Sequence, residues 1–411
     1  MTSEQSRPHV VLGVGGGIAA YKAAELLRRF TESGHDVSVV PTESALRFVG
    51  APTWAALSGK PVTASVWDEV HQVLHVRIGQ EADLVVVAPA TANLLAKAAH
   101  GLADDLLTST LLTARCPVVF APAMHTEMWE HPATQANVAI LRARGALVVE
   151  PAEGRLTGAD SGKGRLPDLA EIFSVATALL ARGVVEPDLA GRRVVVSAGG
   201  TREYLDPVRF LGNRSSGLQG YALARAAAVR GAEVTLVAAN TQLADPAGVK
   251  VVRVETTAQL REAVLEASTS ADAVVMAAAP ADFAPSRRSE SKIKKSEDGT
   301  AAPIELIQNP DILAELAADG QRTMVVVGFA AETGDDHGSV LEHARAKLAR
   351  KRCDLLVVND VSGGRVFGEL DNEAVVLSRV GAAVRVPRGS KTELAHVVWD
   401  QVVELFPGAV G

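Results

Sequence analysis

Aromatic side chains are scarce in this 411-residue sequence, at 4% against 47% hydrophobic residues overall. A protein that grips nucleic acid by stacking bases needs an aromatic platform, so that class is disfavoured. Positive charge is not in surplus either. Lys and Arg number 41 against 48 Asp and Glu, and the net charge of −7 argues against a phosphate backbone as partner. The two cysteines, Cys116 and Cys353, fall in opposite halves, which excludes a disulfide framework and suits a reducing cytosol. No apolar run approaches the roughly 18 residues of a membrane span, and no charged-then-apolar leader opens the chain. What abounds is Ala, Val and Leu in short runs, the composition of helices packed on parallel sheets. At this length the chain needs two or three cores. A cytoplasmic α/β protein is expected.

Val-rich runs bounded by turn residues alternate with helix-period segments through both halves. Strands are expected over 9–13, 36–40, 82–88, 117–121 and 146–150, with helices over 19–30, 91–99, 103–113 and 132–143. The second half restarts with strands over 193–197, 233–238, 271–277, 323–328 and 354–358, and a helix over 217–230. A hairpin (373–377 with 384–386) and a helix over 391–405 finish it. This alternation predicts two doubly wound parallel sheets, with ligands at the carboxyl ends of the strands. Residues 150–167, rich in glycine and poor in apolar residues, are expected to be disordered or a functional flap. After a helix over 168–182, the hinge 183–187 places the domain boundary between residues 185 and 186. The charged stretch 286–300 is expected to be a mobile loop.

Each half opens with a strand, a glycine-rich turn and a helix, the layout of a phosphate or nucleotide site. Gly13 to Ile18 approximates a dinucleotide fingerprint. Its sixth position, however, is Ile18, and Val39-Val40-Pro41-Thr42 stands where a ribose-binding carboxylate would end the second strand. A mononucleotide phosphate fits better, although an unliganded tight turn would read the same. Ala88 to Asn93 and Ala121 to His125 follow the third and fourth strands. Their small residues would let a flat ring lie against backbone, with Thr91 and Asn93 supplying hydrogen bonds; Thr91 also suits a plain helix cap. His75 is polar among apolar neighbours, and alone it reads as an ordinary core or surface residue.

Taken together, Gly15-Gly16-Gly17-Ile18-Ala19, His75, residues 88–93, Gly101 to Thr108 and Pro122 to Trp129 resemble the flavin-dependent cysteine decarboxylases. The resemblance implies a flavodoxin-like or Rossmann-like flavoprotein domain over 1–185. It implies FMN held by Gly15, Gly16, Gly17, Ile18, Thr42, Ser44, Ala88, Pro89, Thr91, Asn93, Thr108 and Met124, with substrate held by His125 and Arg165. His75 would activate the substrate, phosphopantothenoylcysteine, whose cysteinyl end is oxidised to a thioaldehyde before CO2 is lost. Two positions depart from the family. His125 stands where the family carries Asn, and Gly158 stands where a flap Cys protonates the enethiolate. Asp160, His125 or water would then deliver that proton, or the last step is slow.

In the second half, Arg209, Asn213, Arg214, Ser215 and Ser216 gather donors just before a helix, suited to phosphate or carboxylate oxygens. A solvated loop with a Ser cap is the plainer reading. Ala277 to Asp282 follows the third strand of this half, and Lys292 to Lys295 is either a solvated charge run or a cover for a triphosphate. With Gly199 to Glu203, Asn309 to Ile312, Gly328 to Thr333 and Val358 to Val361, these segments resemble the phosphopantothenate–cysteine ligases. The resemblance implies a Rossmann-like nucleotide-binding domain over 186–411 using CTP and Mg2+ (or Mn2+). Asn213, Arg209 and Lys292 would be catalytic. Ala278, Ala279, Asp282, Pro310, Asp311, Ile312, Leu313, Phe329, Lys347 and Lys351 would line the nucleotide pocket. The last two are four apart on one helix face, although any solvated face shows that spacing.

Both sets in one chain resemble the bacterial fused bifunctional enzymes of coenzyme A synthesis. That implies a homo-oligomer with decarboxylase trimers and ligase dimers, converting phosphopantothenate and cysteine to phosphopantetheine. The alternatives are a ligase with an impaired decarboxylase half, a pyridine-nucleotide oxidoreductase and a flavin-binding regulatory protein.

Overall fold

The computed structural model describes residues 7–65, 73–155, 161–182, 187–246, 248–294, 303–318, 320, 322–332, 339–360 and 371–407. The chain divides into two units, Met1–Pro187 and Asp188–Gly411.

In the first unit, β1 (His9–Val14), β2 (Asp36–Pro41), β3 (Leu84–Ala90), β4 (Val118–Pro122) and β5 (Leu147–Val148) form a parallel sheet in the order β2-β1-β3-β4-β5. All seven residues of β3 are buried, as an unbroken apolar run requires of a strand covered on both faces. The helices are α1 (Ala20–Glu32), α2 (Glu43–Leu46), α3 (Ala51–Ser58), α4 (Leu74–Glu81), α5 (Ala92–His100), α6 (Leu106–Thr113), α7 (Thr126–Glu130), α8 (Pro132–Ala143) and α9 (Leu169–Arg182). α1 shows how they dock: Ala20, Ala23, Leu26, Leu27 and Phe30 recur at helical spacing and are buried. The strand order reverses between β1 and β3, which opens a crevice at their carboxyl ends.

Within the glycine-rich stretch after β5, β6 (Ala152–Arg155) and β7 (Ser161–Arg165) pair antiparallel. The base of this pair is fixed, because the Met124 amide donates to the Gly164 carbonyl at 2.9 Å. The expected proton-donor position, Gly158, and its neighbour Asp160 lie outside the described residues.

The second unit contains β8 (Arg193–Gly199), β9 (Arg202–Tyr204), β10 (Phe210–Gly212), β11 (Glu233–Ala239), β12 (Val249–Val254), β13 (Ala273–Met276), β14 (Phe283–Pro285), β15 (Leu306–Gln308), β16 (Val325–Glu332), β17 (Leu355–Asp360), β18 (Asp371–Ser378) and β19 (Val384–Ser390). Its helices are α10 (Leu218–Val229), α11 (Thr257–Ser268), α12 (Ile312–Ala318), α13 (Val340–Lys351) and α14 (Lys391–Val403). The main sheet runs β12-β11-β8-β13-β16-β17-β18-β19, parallel as far as β17 and antiparallel beyond it. Its parallel part has the strand order of a dinucleotide-binding sheet, with the switch point between β8 and β13. One face is covered by α10 and α14, where Tyr221, Leu223, Val398 and Trp399 are buried. The other packs Leu260, Val264, Ile312, Leu316, Ala344 and Leu348 from α11, α12 and α13. Two doubly wound domains are therefore what the chain forms. β12 is the strand missed at the sheet edge, where its residues are mostly half-buried or exposed.

Candidate functional sites

A cavity of about 810 Å³ opens at the carboxyl edge of the first sheet. Four segments wall it: Gly16 to Ala19 entering α1, Thr42 to Ser44 after β2, Pro89 near the end of β3 with Thr91 to Leu94 beyond it, and Ala123 to His125 after β4. The β6–β7 hairpin closes one side with Arg155, Gly164 and Arg165. Of the residues expected to hold a flavin and its substrate, Gly16, Gly17, Ile18, Thr42, Ser44, Pro89, Thr91, Asn93, Met124, His125 and Arg165 all line this space.

The glycines differ in what they do. A Cβ on Gly16 would lie 2.2 Å from the Ser44 Cβ, so the two loops can approach only around a bare Cα. A Cβ on Gly17 would meet nothing nearer than Thr91 Cγ2 at 3.9 Å. That position is open backbone at a helix start, the cradle an anionic group takes. Thr91 both caps α5, accepting from the Leu94 amide at 3.3 Å, and faces the cavity.

Four expected residues do not line the cavity. Ala88 is buried in β3, and the Gly15 amide is bonded to the Pro89 carbonyl at 3.0 Å, so both lie beneath the wall. Thr108 is buried, and its hydroxyl donates to the Asp105 carboxylate at 2.7 Å; it reaches the cavity only through Asp105, which lines it. His75 sits on α4, which packs against α6, with its carbonyl accepting from Thr113 at 2.8 Å. Conversely, Tyr21, Lys22 and Lys97 line the cavity without having been singled out, as does Asp104, which was quoted only within the run from Gly101 to Thr108. Lys97 holds both Asp104 oxygens at 2.7 Å and keeps that carboxyl below its ordinary pKa. The spacing between these two residues carried no signal, because a loop brings them together.

Neither cysteine lines the cavity. Cys116 precedes β4 at the opposite, amino edge, and burial pushes its thiol up to about 11. Burial does the same to Cys353 in the second unit, also to about 11. Both are packing residues rather than acids for catalysis.

In the second unit the motif residues converge at the β8–β13 switch point. The backbone at Gly199 has φ +83, and a Cβ there would lie 2.0 Å from the Ala239 carbonyl, so only glycine lets β8 turn out of the sheet. The Ala279 amide donates to the Gly199 carbonyl at 2.8 Å, Ala278 to Ser197 Oγ at 3.1 Å and Ala281 to Thr201 Oγ1 at 2.8 Å. Asn213 donates its side-chain amide to the Pro280 carbonyl at 2.8 Å, which joins the donor loop to the 277–282 segment. Asn309 then ties Asp282 to the next turn: its backbone amide donates to the Asp282 carbonyl and its side chain to that of Ala281, both at 2.9 Å. Asp311, two residues on, pairs with Lys351 of α13. Burial alone would raise the Asp311 carboxyl, but the Lys351 and Ala314 N–H donors bring it below its ordinary value.

Asp206 organises the loop that carries Arg209. Its buried carboxylate accepts from the backbone amides of Val208 and Arg209 at 2.8 Å, from Ile293 at 3.2 Å and from Arg209 Nε at 2.9 Å. Arg209 Nη2 in turn donates to the Ile293 carbonyl at 2.6 Å. Burial pushes the Asp206 carboxyl up, yet these donors outweigh it and hold the group far below the usual carboxylate range. Lys292 is thereby carried on a segment pinned at its neighbour rather than on a wholly mobile loop; residues 295–300 lie outside the described ones. The expected Ser cap is not the cap of α10. Gly217 holds that position, while Ser215 accepts from the Gly217 amide at 3.4 Å and Ser216 from that of Leu218 at 3.5 Å. Leu313 packs on the α11–α13 face of the sheet and Phe329 on the α10–α14 face, so those two expected pocket residues flank the sheet.

A family model described as Flavoprotein matches residues 1–181, and one described as DNA/pantothenate metabolism flavoprotein C-terminal domain matches 189–406. The chain belongs to the family of bifunctional coenzyme A biosynthesis proteins. The bifunctional protein CoaBC of Mycolicibacterium smegmatis is 59% identical, over 99% of this chain and 100% of its own length. That of Mycobacterium tuberculosis H37Rv is also 59% identical, over 97% of each chain, and that of Bacillus subtilis is 41% identical over 97% of each. The protein is thus a bifunctional enzyme, with a decarboxylase half that is a flavoprotein and a ligase half. No helix among the described residues is long and apolar enough to cross a membrane.

Proposed function

We propose that residues 1–185 decarboxylate phosphopantothenoylcysteine with FMN, and that residues 186–411 make it from phosphopantothenate and cysteine at the expense of CTP. The observation that supports this most is shared by both units. In each, motif residues distant in sequence gather at the carboxyl edge of a parallel sheet, beside its switch point.

In the ligase half the substrate carboxylate attacks the α-phosphorus of CTP, pyrophosphate leaves, and the cysteine amine then displaces CMP from the acyl-cytidylate. Negative charge grows on phosphate oxygens, so Lys292 and Arg209 act by electrostatic stabilisation. Asn213 is held against the Pro280 carbonyl and so presents one fixed amide to the intermediate. Lys347 and Lys351, with Ala278, Ala279, Asp282, the 310–313 turn and Phe329, bind the nucleotide. Asp282 would hold the Mg2+ or Mn2+ that accompanies the triphosphate, and the ion would supply charge neutralisation there.

In the decarboxylase half the cavity walls fit a flavin mononucleotide: an open helix start at Gly17 for the phosphate, and Pro89, Ala123 and Met124 for a flat ring. Bound FMN supplies the two-electron oxidation and its return. His125 and Arg165 at the rim hold the substrate carboxylate. With Gly158 in place of an acid, His125 is also the group we assign to return the proton. His75 lies off its own chain's cavity, so a second copy supplies it. Exposed Ile18, Tyr21 and Leu102 in the first unit, and Val208, Phe210, Phe283, Leu306 and Ile307 on the β9–β10 and β14–β15 arms, are apolar surfaces that such copies would cover. Mass measurement in solution should give an oligomer, with trimeric contacts in the first half and dimeric ones in the second. A monomer at micromolar concentration would refute this assembly.

The test is pyrophosphate release dependent on CTP, phosphopantothenate and cysteine, scored beside CO2 release from phosphopantothenoylcysteine. Asn213→Asp or Lys292→Gln should lose the first and spare the second. Pyrophosphate without CO2, flavin being bound, would favour the ligase with an impaired first half.

A further inference from the structure

Asn359 ends β17 at the carboxyl edge of the second sheet, level with Ala331 on β16. Its side-chain oxygen is buried and has no hydrogen-bond partner among the described residues. The other asparagines of this edge are spent on backbone: Asn213 donates to Pro280, Asn240 to Gly200 and Glu255, and Asn309 to Ala281. A buried amide oxygen left without a donor forfeits the hydrogen bond it would make in water, so native proteins hold few of them.

Alternation along β17 puts Asn359 on the face of Leu355 and Val357, the side covered by α10 and α14. Phe329 packs on that same face, paired in register with Val357 two residues earlier, so Phe329 and Asn359 are diagonal neighbours. An aromatic ring beside an unmet acceptor suits a ligand with a flat ring and an N–H or O–H at its margin.

Resting on the ligase reading above, we propose that Asn359 determines nucleotide specificity, its amide oxygen accepting from the nucleoside part of bound CTP. The triphosphate offers no donor, which leaves the 4-amino group of cytosine or a ribose hydroxyl. A site built around such an acceptor rejects a nucleotide lacking the donor far better than an apolar pocket can.

The test is calorimetric binding of CTP, UTP, 2′-deoxy-CTP and 3′-deoxy-CTP to the full-length protein and to Asn359→Ala, with thermal unfolding of each without nucleotide. The wild type should prefer CTP at least tenfold over UTP if the amino group is the donor, or over one deoxy analogue if a hydroxyl is. Asn359→Ala should lose that preference, bind CTP about tenfold more weakly, keep its KM for cysteine and unfold no earlier than wild type. Should Asn359→Ala misfold, the near-isosteric Asn359→Leu gives the same reading, and Asn359→Asp, which keeps an acceptor, should retain the wild-type preference. Unchanged affinities and ratios in the variant would overturn the proposal. So would a lowered unfolding temperature with intact discrimination, which marks a structural role. A wild type that binds no CTP would instead overturn the ligase reading itself.

Discussion

Single residues set the two sites by opposite means, contact at one and charge at the other. Gly16→Ala must push Ser44 aside, so we expect a lower unfolding temperature together with loss of bound flavin absorbance. Gly17→Ala adds a methyl into open space, so the fold should keep its unfolding temperature while flavin binding weakens. Equal stability losses in both would contradict the cradle. Asp206 has a carboxyl held well below its ordinary 3.8, so its contribution is fully present above that value and is lost as pH falls through the still lower folded-state pKa. Acid unfolding should therefore destabilise the wild type below about pH 4 more steeply than Asp206→Asn, which has no carboxylate to protonate. Parallel acid curves would refute that role. The residues lining the cavity of the first unit were legible because they lie at or just past the ends of Val-rich strands. His75 was legible only as a polar interruption, and nothing local shows that α4 carries it away from the cavity of its own chain.

Among the elements, central strands read clearly and small antiparallel pieces did not. β3 is an unbroken apolar run and β8 carries three consecutive valines with six of its seven residues buried, patterns that a sheet covered on both faces uses. The β9–β10 and β14–β15 arms have three residues per strand, too few for a periodic pattern to emerge. The β6–β7 hairpin has glycine and charge where a strand would show alternation, and its anchorage is ionic as well as backbone. Lys163 and Arg142 both reach Glu150, at 2.6 and 2.7 Å, and outweigh the burial that would otherwise raise that carboxyl. We expect Glu150→Gln to increase protease cutting within 151–167 at neutral pH, and acidification below about 4.5 to do the same in the wild type. A cutting rate unchanged by the substitution would exclude the tether. A further regularity went unread in the sequence. Asp83, Asp272 and Asp354 each precede a central strand and accept a backbone amide from the first or second residue of the neighbouring one, at 2.7, 2.8 and 2.8 Å from His9, Arg193 and Val326. Each resembles an ordinary surface carboxylate until strand register shows where it points.

At the scale of the molecule, two sheets of different strand order place their switch points at the two sets of motifs. Stability within the second unit leans on Arg230, fully buried and paired with Asp188 at the start of the unit and Asp400 on α14. Arg230→Ala should cost about 3 kcal/mol, at the low end for breaking a buried pair because both carboxylates keep access to water. Chemical denaturation of the second unit would show it, and a change under about 1 kcal/mol would place the pair among surface bridges. The central claim is that one chain carries both chemistries, and one coupled assay tests it most directly. Supplied with CTP, phosphopantothenate and cysteine, the flavin-loaded protein should release pyrophosphate and then CO2, while Asn213→Asp should still release CO2 from added phosphopantothenoylcysteine. Absence of CTP-dependent pyrophosphate, or of CO2 from the added intermediate, would contradict it.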